Sequence, residues 1–478
     1  MSRRSGLAPL LALAMAGAVA VIGFSRVLFP YDIGHYEANA WAPAELLAHG
    51  HDPYDLSRTT SPPYVAAPYG PLHYALTGVG LRLFGENFWF ARLGSVLATL
   101  ATALCVAAIC YRLSGRSRGA AGIGALAFLA SFPVMFWVGL QRADVFALLL
   151  SMVAVLLAVR GAEDERSGLS IGAGLAAAGA VLFRQTALLP FLMVLAIYLL
   201  RRDPAGAMSA FGAGAALLAA AYAALELSSG GGDALHQLYT SQRGVPFDAS
   251  LLSTRVRALV HEPITLVVSG WLVVVLVWAA GQRRRRRSTV VPLWLLLAYL
   301  IAATGLAALT SARAGANLNY WLEPAAVAAL LVGTLSSELS SWRPYLPSLV
   351  AASLIAASLL SVVRVAHGEW LRWEARPYLD DVTQAVRAHT SRVEPSFSVY
   401  PELVTKANRR SFVNDYVQYD GRDPRLAGAY RRLLRSGRLG AIVTHARESP
   451  PGYERVHLAH PVPAGIFPVY VHVRSCCG

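Results

Sequence analysis

The sequence predicts a polytopic α-helical membrane protein with about eleven transmembrane helices and a small C-terminal α/β domain outside the cytoplasm. Three observations carry that prediction. Only 15% of the 478 residues are charged, against roughly a quarter in soluble domains, and the mean hydropathy is +0.46. The hydrophobic residues come in long blocks such as Leu7 to Phe24 and Ile264 to Ala280, which approach or reach the width of a bilayer core. The arginines cluster at the ends of those blocks instead of along one polar face, so the formal charge of +14 reads as a topology signal and argues against nucleic-acid binding.

At the N-terminus Arg3 and Arg4 precede an apolar run containing Ala18-Val19-Ala20. A cleaved signal peptide has that form, but the run is long for one and many spans follow, so a retained first helix is preferred. On either reading the segment after Pro30 is outside the cytoplasm. Positive residues stay in short cytoplasmic loops. Placing Arg3/Arg4, Arg112/Arg116/Arg118, Arg160/Arg166, Arg201/Arg202, Arg283 to Arg287 and Arg343 inside predicts helices over 7–24, 91–113, 120–138, 143–159, 169–183, 187–200, 207–227, 264–280, 290–309, 322–336 and 346–363. An odd number of spans puts the N-terminus in the cytoplasm and the C-terminus outside. Residues 1–363 are then the transmembrane domain and 364–478 the extracytoplasmic tail.

Three segments fall outside: 25–90, 228–262 and the tail. The first loop carries Pro43, Pro53, Pro62, Pro63, Pro68 and Pro71, so it is not one continuous helix. Its second half, with Leu72, Leu76, Val79 and Leu83 on one face beside His73, Thr77 and Gly80, predicts a short amphipathic helix lying on the membrane. In the tail, 377–389 and 423–435 read as helical and 397–400, 441–444 and 469–473 as strands. It holds 17 basic and 11 acidic side chains, an excess of six positive charges. Cys105 and Cys110 lie in a predicted helix and Cys476 and Cys477 are adjacent, so none has metal-ligand spacing.

Acidic residues are scarce in the membrane body, yet the first loop holds Asp32, Glu37, Glu45, Asp52 and Asp55. Asp32 directly follows the first helix, where a carboxylate at the membrane surface can serve as a general base or, equally, as a solvated helix cap. Arg142, Arg184 and Arg313 sit at predicted external helix ends, against the positive-inside trend. A guanidinium there either holds a phosphate bidentately or snorkels to lipid headgroups. Asp144, Glu323, Asn317 and Asn319 share that edge, and Asp144 also suits a structural pair with Arg142. Tyr31, Tyr36, Trp41, Tyr54, Tyr69, Tyr74 and Trp321 suit either sugar stacking or an interfacial belt. His35, His49, His51 and His73 lack the spacing of a zinc site.

The order of segments resembles the C-type glycosyltransferase superfamily, which includes the bacterial relatives of protein O-mannosyltransferases and the aminoarabinose transferase. The resemblance lies in Asp32 after the first helix, His49-Gly50-His51-Asp52-Pro53-Tyr54-Asp55, Tyr69-Gly70-Pro71-Leu72-His73-Tyr74, Leu83-Phe84-Gly85 and Ala91-Arg92-Leu93. It continues in Arg142-Ala143-Asp144, Phe183-Arg184-Gln185-Thr186 and Asn317-Leu318-Asn319-Tyr320-Trp321-Leu322-Glu323, and covers most of the membrane region and, more loosely, the tail. It implies a bacterial inner-membrane enzyme that transfers a sugar from a polyprenyl-phosphate carrier to a glycan, lipid or protein acceptor on the outer face, by an inverting reaction without metal or other cofactor.

The resemblance also implies a catalytic base in the first loop. Asp32 is the matching position, but the family often has an adjacent Asp-Glu pair, whereas Ile33 follows Asp32 here and the nearest glutamate is Glu37; the base is one of the two. His35, Asp55, Tyr69, His73, Arg142, Asp144, Arg184, Arg313, Asn319, Tyr320 and Glu323 are the expected substrate-binding residues. The chief rival class is a transporter or lipid flippase, which predicts charges near mid-membrane and repeat symmetry; no repeat is evident. A catalytically inactive scaffold presenting the tail is a third reading.

Overall fold

The computed structural model describes residues 7–33, 37–60, 65–164, 167–229, 231, 233–240, 247–281, 291–313, 317–391, 394–407, 410–411, 432, 435, 437, 439–463 and 468–474. The protein is mostly α-helical and multi-pass. Among the described residues seven helices are long and apolar enough to cross a membrane, and a bent pair makes an eighth. Three further apolar helices, Arg118–Ala130, Ser167–Phe183 and Leu189–Leu200, are shorter than the roughly 20 residues a span needs. The count by length and composition is therefore lower than the eleven read from the sequence.

The chain forms two compact units, the first of residues 1–24, 93–223 and 246–365, the second of 25–92, 224–245 and 366–478. Helices α1 (Leu7–Leu28), α2 (Trp41–Ala48), α3 (Ser57–Thr60), α4 (Pro71–Phe84) and α5 (Trp89–Leu113) open the chain. There follow α6 (Arg118–Ala130), α7 (Phe132–Trp137), α8 (Ala143–Asp164), α9 (Ser167–Phe183), α10 (Leu189–Leu200), α11 (Pro204–Ser228) and the short α12 (Asp233–Leu235). Then come α13 (Ala249–Val260), α14 (Pro263–Gly281), α15 (Leu293–Ser311), α16 (Leu322–Trp342) and α17 (Leu346–Glu374). The tail adds α18 (Arg376–His389) and α19 (Pro401–Thr405).

In the first unit α8 packs on α9 and α10, and α16 on α6. Lipid gives no hydrophobic drive for helices to associate, so close approach relies on small residues. Gly174 of α9 meets α11 so tightly that a Cβ there would lie 2.0 Å from the Ala210 carbonyl oxygen, and Gly333 of α16 abuts Gly124 of α6 in the same way, at 2.7 Å from its Cα. In the apolar window of Leu318–Leu339, 78% of the residues are buried, against 11% in that of α11, which leaves Met208, Phe211 and Leu227 outward. The first is a core helix; the second presents apolar side chains outward.

One expected helix is broken, while the one read over 264–280 forms as α14. The helix read over 120–138 is split because Ser131 is extended and Pro133 starts a new helix, α7, which ends at Gly139 with φ +69° against the backbone of Gly23. The chain also turns by 83° between α13 and α14. Buried Glu262 sits in that turn, accepting from Ser361 Oγ at 2.7 Å and pairing with Arg364.

In the second unit α2 packs on α4, where Gly78 admits the Ala44 carbonyl and Trp41 stacks on Phe88 at 4.3 Å. The amphipathic helix expected in the loop forms as α4, with Pro71 in its first turn. Its outward residues are apolar, Val79 and Leu83, while His73, Tyr74 and Thr77 are buried. The tail is a small α/β domain. Its strands β1 (Pro395–Ser398), β2 (Arg410–Ser411), β3 (Ala441–Thr444), β4 (Tyr453–Arg455) and β5 (Tyr470–Arg474) form a sheet of order β2-β1-β3-β5-β4. β1 is parallel to β2 and β3, and β5 is antiparallel to β3 and β4. α18 packs on β5, and Tyr378 ties them through the backbone of Val469. The helix expected over 423–435 lies almost wholly outside the described residues, as do Arg283 to Arg287, Cys476 and Cys477.

Candidate active site

In the second unit the end of α1 runs straight into an acidic turn. Arg92, in the first turns of α5, is wholly buried and organises it. Its Nε and Nη2 donate to the two oxygens of Glu37 at 2.9 and 2.5 Å, and its remaining hydrogens go to the carbonyls of Arg26 (2.8 Å), Phe29 (2.5 Å) and Tyr31 (2.5 Å). Glu37 Oε2 also accepts from the Ile33 amide at 2.9 Å. The Glu37 carboxylate is thus consumed by a bidentate ion pair and a backbone bond.

Asp32 is placed differently. Its Oδ2 accepts from the Glu37 and Ala38 amides at 3.2 and 3.0 Å, and its Oδ1, also buried, has no hydrogen-bond partner among the described residues. Burial first, and the neighbouring Glu37 charge second, push its pKa up to about 7. Tyr31 donates to Asp380 at 2.5 Å, which with burial raises its own pKa, and Lys406 Nζ lies 5.5 Å above the Tyr31 ring. Arg26 pairs with Glu369 at 2.8 Å.

Of the other loop residues, Tyr69 and His73 come together with ring centroids 5.2 Å apart, and the Tyr69 amide donates to Tyr74 Oη at 3.0 Å. Asp55 accepts from the Ser57 amide at 2.8 Å and lies 3.6 Å from Arg58, capping α3 at a partly exposed position. His35 lies outside the described residues.

In the first unit the edge residues gather on Asp144, in the first turn of α8. It pairs with Arg184, lies 3.6 Å from Arg142 Nε and accepts from Asn319 Nδ2 at 2.9 Å. The Arg184 guanidinium lies 3.9 Å from the Tyr320 ring centroid, and that of Arg142 lies 5.2 Å from Trp137. Glu323 accepts from Tyr299 Oη at 2.6 Å. A cavity opens here, lined by the polar Asp144, Arg184, Asn319 and Glu323 and by the apolar Leu148 and Leu306. Arg313 does not line it; that residue is exposed and its backbone pairs with Phe247. Among the described residues no three His, Cys, Asp or Glu side chains gather into a metal-binding set.

From the sequence neither Glu402 nor Arg92 had an assigned role, although Arg92 stands in the Ala91-Arg92-Leu93 segment of the resemblance. Arg92 had a signal, a charge at the head of an apolar helix. Glu402 had none, being one acid among eleven in a basic tail.

Residues 67–225 match the family model of dolichyl-phosphate-mannose-protein mannosyltransferases. No curated protein sequence matches the chain. Among solved structures, it is similar to ArnT from Cupriavidus metallidurans bound to undecaprenyl phosphate, with 13% identity, TM-score 0.66, and 97% of this chain and 98% of that one covered. Its apo form gives 14% identity and TM-score 0.61, with 99% and 98% covered. The archaeal oligosaccharyltransferase AglB from Archaeoglobus fulgidus, in complex with an inhibitory peptide and a dolichol-phosphate, follows at 14% identity and TM-score 0.52, with 90% and 69% covered. The likeness read in the sequence is therefore present in the backbone as well: the chain has the fold of the C-type polyprenyl-phosphate-sugar glycosyltransferases.

Proposed function

We propose that this protein is an integral-membrane glycosyltransferase that moves a sugar from a polyprenyl-phosphate carrier to an acceptor hydroxyl or amine on the extracytoplasmic face of a bacterial inner membrane. The observation that carries the reading is the state of Asp32: a buried carboxyl with one oxygen held by two amides, the other without a donor among the described residues, and a pKa near neutrality. A general base works best when its pKa lies near the operating pH. Asp32 Oδ1 removes the acceptor's proton as the acceptor attacks the anomeric carbon. The bond from that carbon to the phosphate oxygen breaks, and polyprenyl phosphate leaves. A single displacement inverts the anomeric centre. Glu37 holds Arg92 and so fixes the turn that presents Asp32.

The carrier is inferred from the fold, two of whose similar structures hold undecaprenyl phosphate and dolichol-phosphate. The cavity at Asp144 supports it, since its lining offers both a cation, Arg184, and apolar side chains to a lipid-linked anion. Arg184 and Arg142 are the cations suited to the phosphate, and Asn319, Tyr320 and Glu323 to the sugar. Mass spectrometry of envelope glycans and lipid-linked sugars, from cells lacking the gene and complemented with wild type or Asp32→Asn, tests the proposal. One sugar should be missing without the gene and restored by the wild type alone. An unchanged glycan profile, together with lipid or solute movement by the purified protein in vesicles, would favour transport.

A further inference from the structure

The tail domain places a second buried acid beside the turn that carries Asp32. Glu402 lies on α19, which packs against the 3-10 turn Ala38–Ala40 that follows Glu37. It is 2% exposed, and its Oε2 is buried with no hydrogen-bond partner among the described residues. The backbone amide of Asp32 and its own amide favour its charged form, yet burial and the Asp32 charge outweigh them and raise its pKa well above the ordinary range. Lys406, one turn on, is the cation that faces it, and Lys406 is itself shared with Glu86 and Asp380. Tyr400 feels both acids, and its pKa is raised by burial and then by the Glu402 and Asp32 charges. The charged groups facing Asp32 from the loop side are Glu37 and Arg92.

Two neighbouring carboxyl groups in a dry site do not both ionise; one keeps a proton. Each of these two leaves one oxygen without a partner among the described residues, Asp32 Oδ1 and Glu402 Oε2. A carboxylate can only accept, but a protonated carboxyl donates. We propose that Glu402 is a positioning residue that keeps a proton at neutral pH and donates it in a hydrogen bond to Asp32 Oδ1, so that the tail domain tunes the base of the loop.

The proposal rests on Asp32 being the base, and its parts follow from charge. With Glu402 protonated, Asp32 ionises around neutral pH, because the donor favours its charged form while burial opposes it. When an acceptor enters, it takes the place of that donor at Oδ1 and gives up its own proton to Asp32. Glu402 keeps its proton throughout, so no net transfer passes through it. Without the donor, Asp32 would ionise only at higher pH and would be a neutral, useless group in more of the protein at pH 7.

Infrared pH titration of the full-length protein in nanodiscs reads this without any substrate. In the wild type at pH 7, a protonated-carboxyl C=O band should be present that disappears in Glu402→Gln, and a second carboxyl titrating near pH 7 should disappear in Asp32→Asn. Loss of a hydrogen bond to a charged group is worth about a tenfold change or more, so Glu402→Ala should raise the Asp32 midpoint by about one pH unit or more. Glu402→Gln, whose amide still donates, should leave that midpoint near its wild-type value. The idea is overturned if the Gln variant removes no protonated-carboxyl band at pH 7, or if a folded Ala variant leaves the Asp32 midpoint unmoved. Should the Ala variant not fold, the Gln variant decides alone through the band. Transfer assays on Asp32→Asn test the base assignment separately: a variant that still transfers sugar removes that assignment while leaving the infrared result standing.

Discussion

Arg92 donates to both carboxylate oxygens of Glu37, at 2.9 and 2.5 Å, where neither side chain reaches solvent. Removing one partner of a buried pair leaves the other charge uncompensated, which costs about 3–5 kcal/mol. Glu37→Gln is therefore expected to lower the thermal unfolding temperature in detergent markedly. An unchanged unfolding temperature would mean that the three carbonyls alone satisfy the guanidinium.

Asp32→Asn should behave in the opposite way. Turnover is expected to fall about 10²–10⁴-fold with substrate affinity largely kept, because the proton acceptor is lost but the shape is not. Folding favours the protonated acid, since burial lifts its pKa from 3.8 to about 7. The stability it contributes is thus present in acid, declines as pH rises through that interval and is gone above it. The Asn variant should unfold no more easily than wild type at pH 8. Wild-type turnover should fall below about pH 7 as Asp32 is protonated, whereas the residual rate of Asp32→Asn should lack that limb.

At the other cluster, Arg184→Lys and Arg142→Lys keep the charge but lose the planar fork that meets a phosphate. Loss of one charge-assisted hydrogen bond predicts about tenfold weaker binding of undecaprenyl phosphate, read by calorimetry or native mass spectrometry. Normal affinity in both variants would make these residues structural partners of Asp144.

Gly174→Ala tests the helix packing. A Cβ would stand 2.0 Å from the Ala210 carbonyl oxygen, so α9 and α11 must separate. A loss of about 1–3 kcal/mol is expected from overpacking, read as a lower unfolding temperature, whereas Gly212→Ala, with open space around it, should be silent.

Sidedness is checked by labelling single cysteines in a background free of Cys105, Cys110, Cys476 and Cys477. Glu448→Cys in the tail is expected to react with an impermeant thiol reagent in intact spheroplasts, and Arg201→Cys only after permeabilisation. Protection of the tail position would reverse the topology and with it the face on which transfer occurs.

The apolar helices and the strands β1, β3 and β5 were legible because apolar blocks and alternation are local signals, whereas the short β2 and β4 were not read. α4 could be placed from Pro71 and the spacing of its leucines. The break at Ser131 was hidden inside an apolar run, since Pro133 reads equally as a kink within one span. The different surroundings of Asp32 and Glu37 could not be read from the loop, because what engages Glu37 is Arg92, 55 residues on. Asp144, Arg184 and Asn319 were each visible as polar residues at a helix edge. Their meeting was not, since Asp144 and Asn319 are 175 residues apart.

The grip of Arg92 on the carbonyls of residues 26, 29 and 31 also imposes an order of assembly. Buried carbonyls need donors, and the donor here is made 61 residues after Tyr31. During synthesis the acidic turn must wait, unformed, until the head of α5 leaves the ribosome and enters the membrane. Glu402, carried by the tail, comes later still. The acidic turn is therefore built from parts that arrive in sequence, and a truncated chain ending before α18 would lack Glu402 beside it.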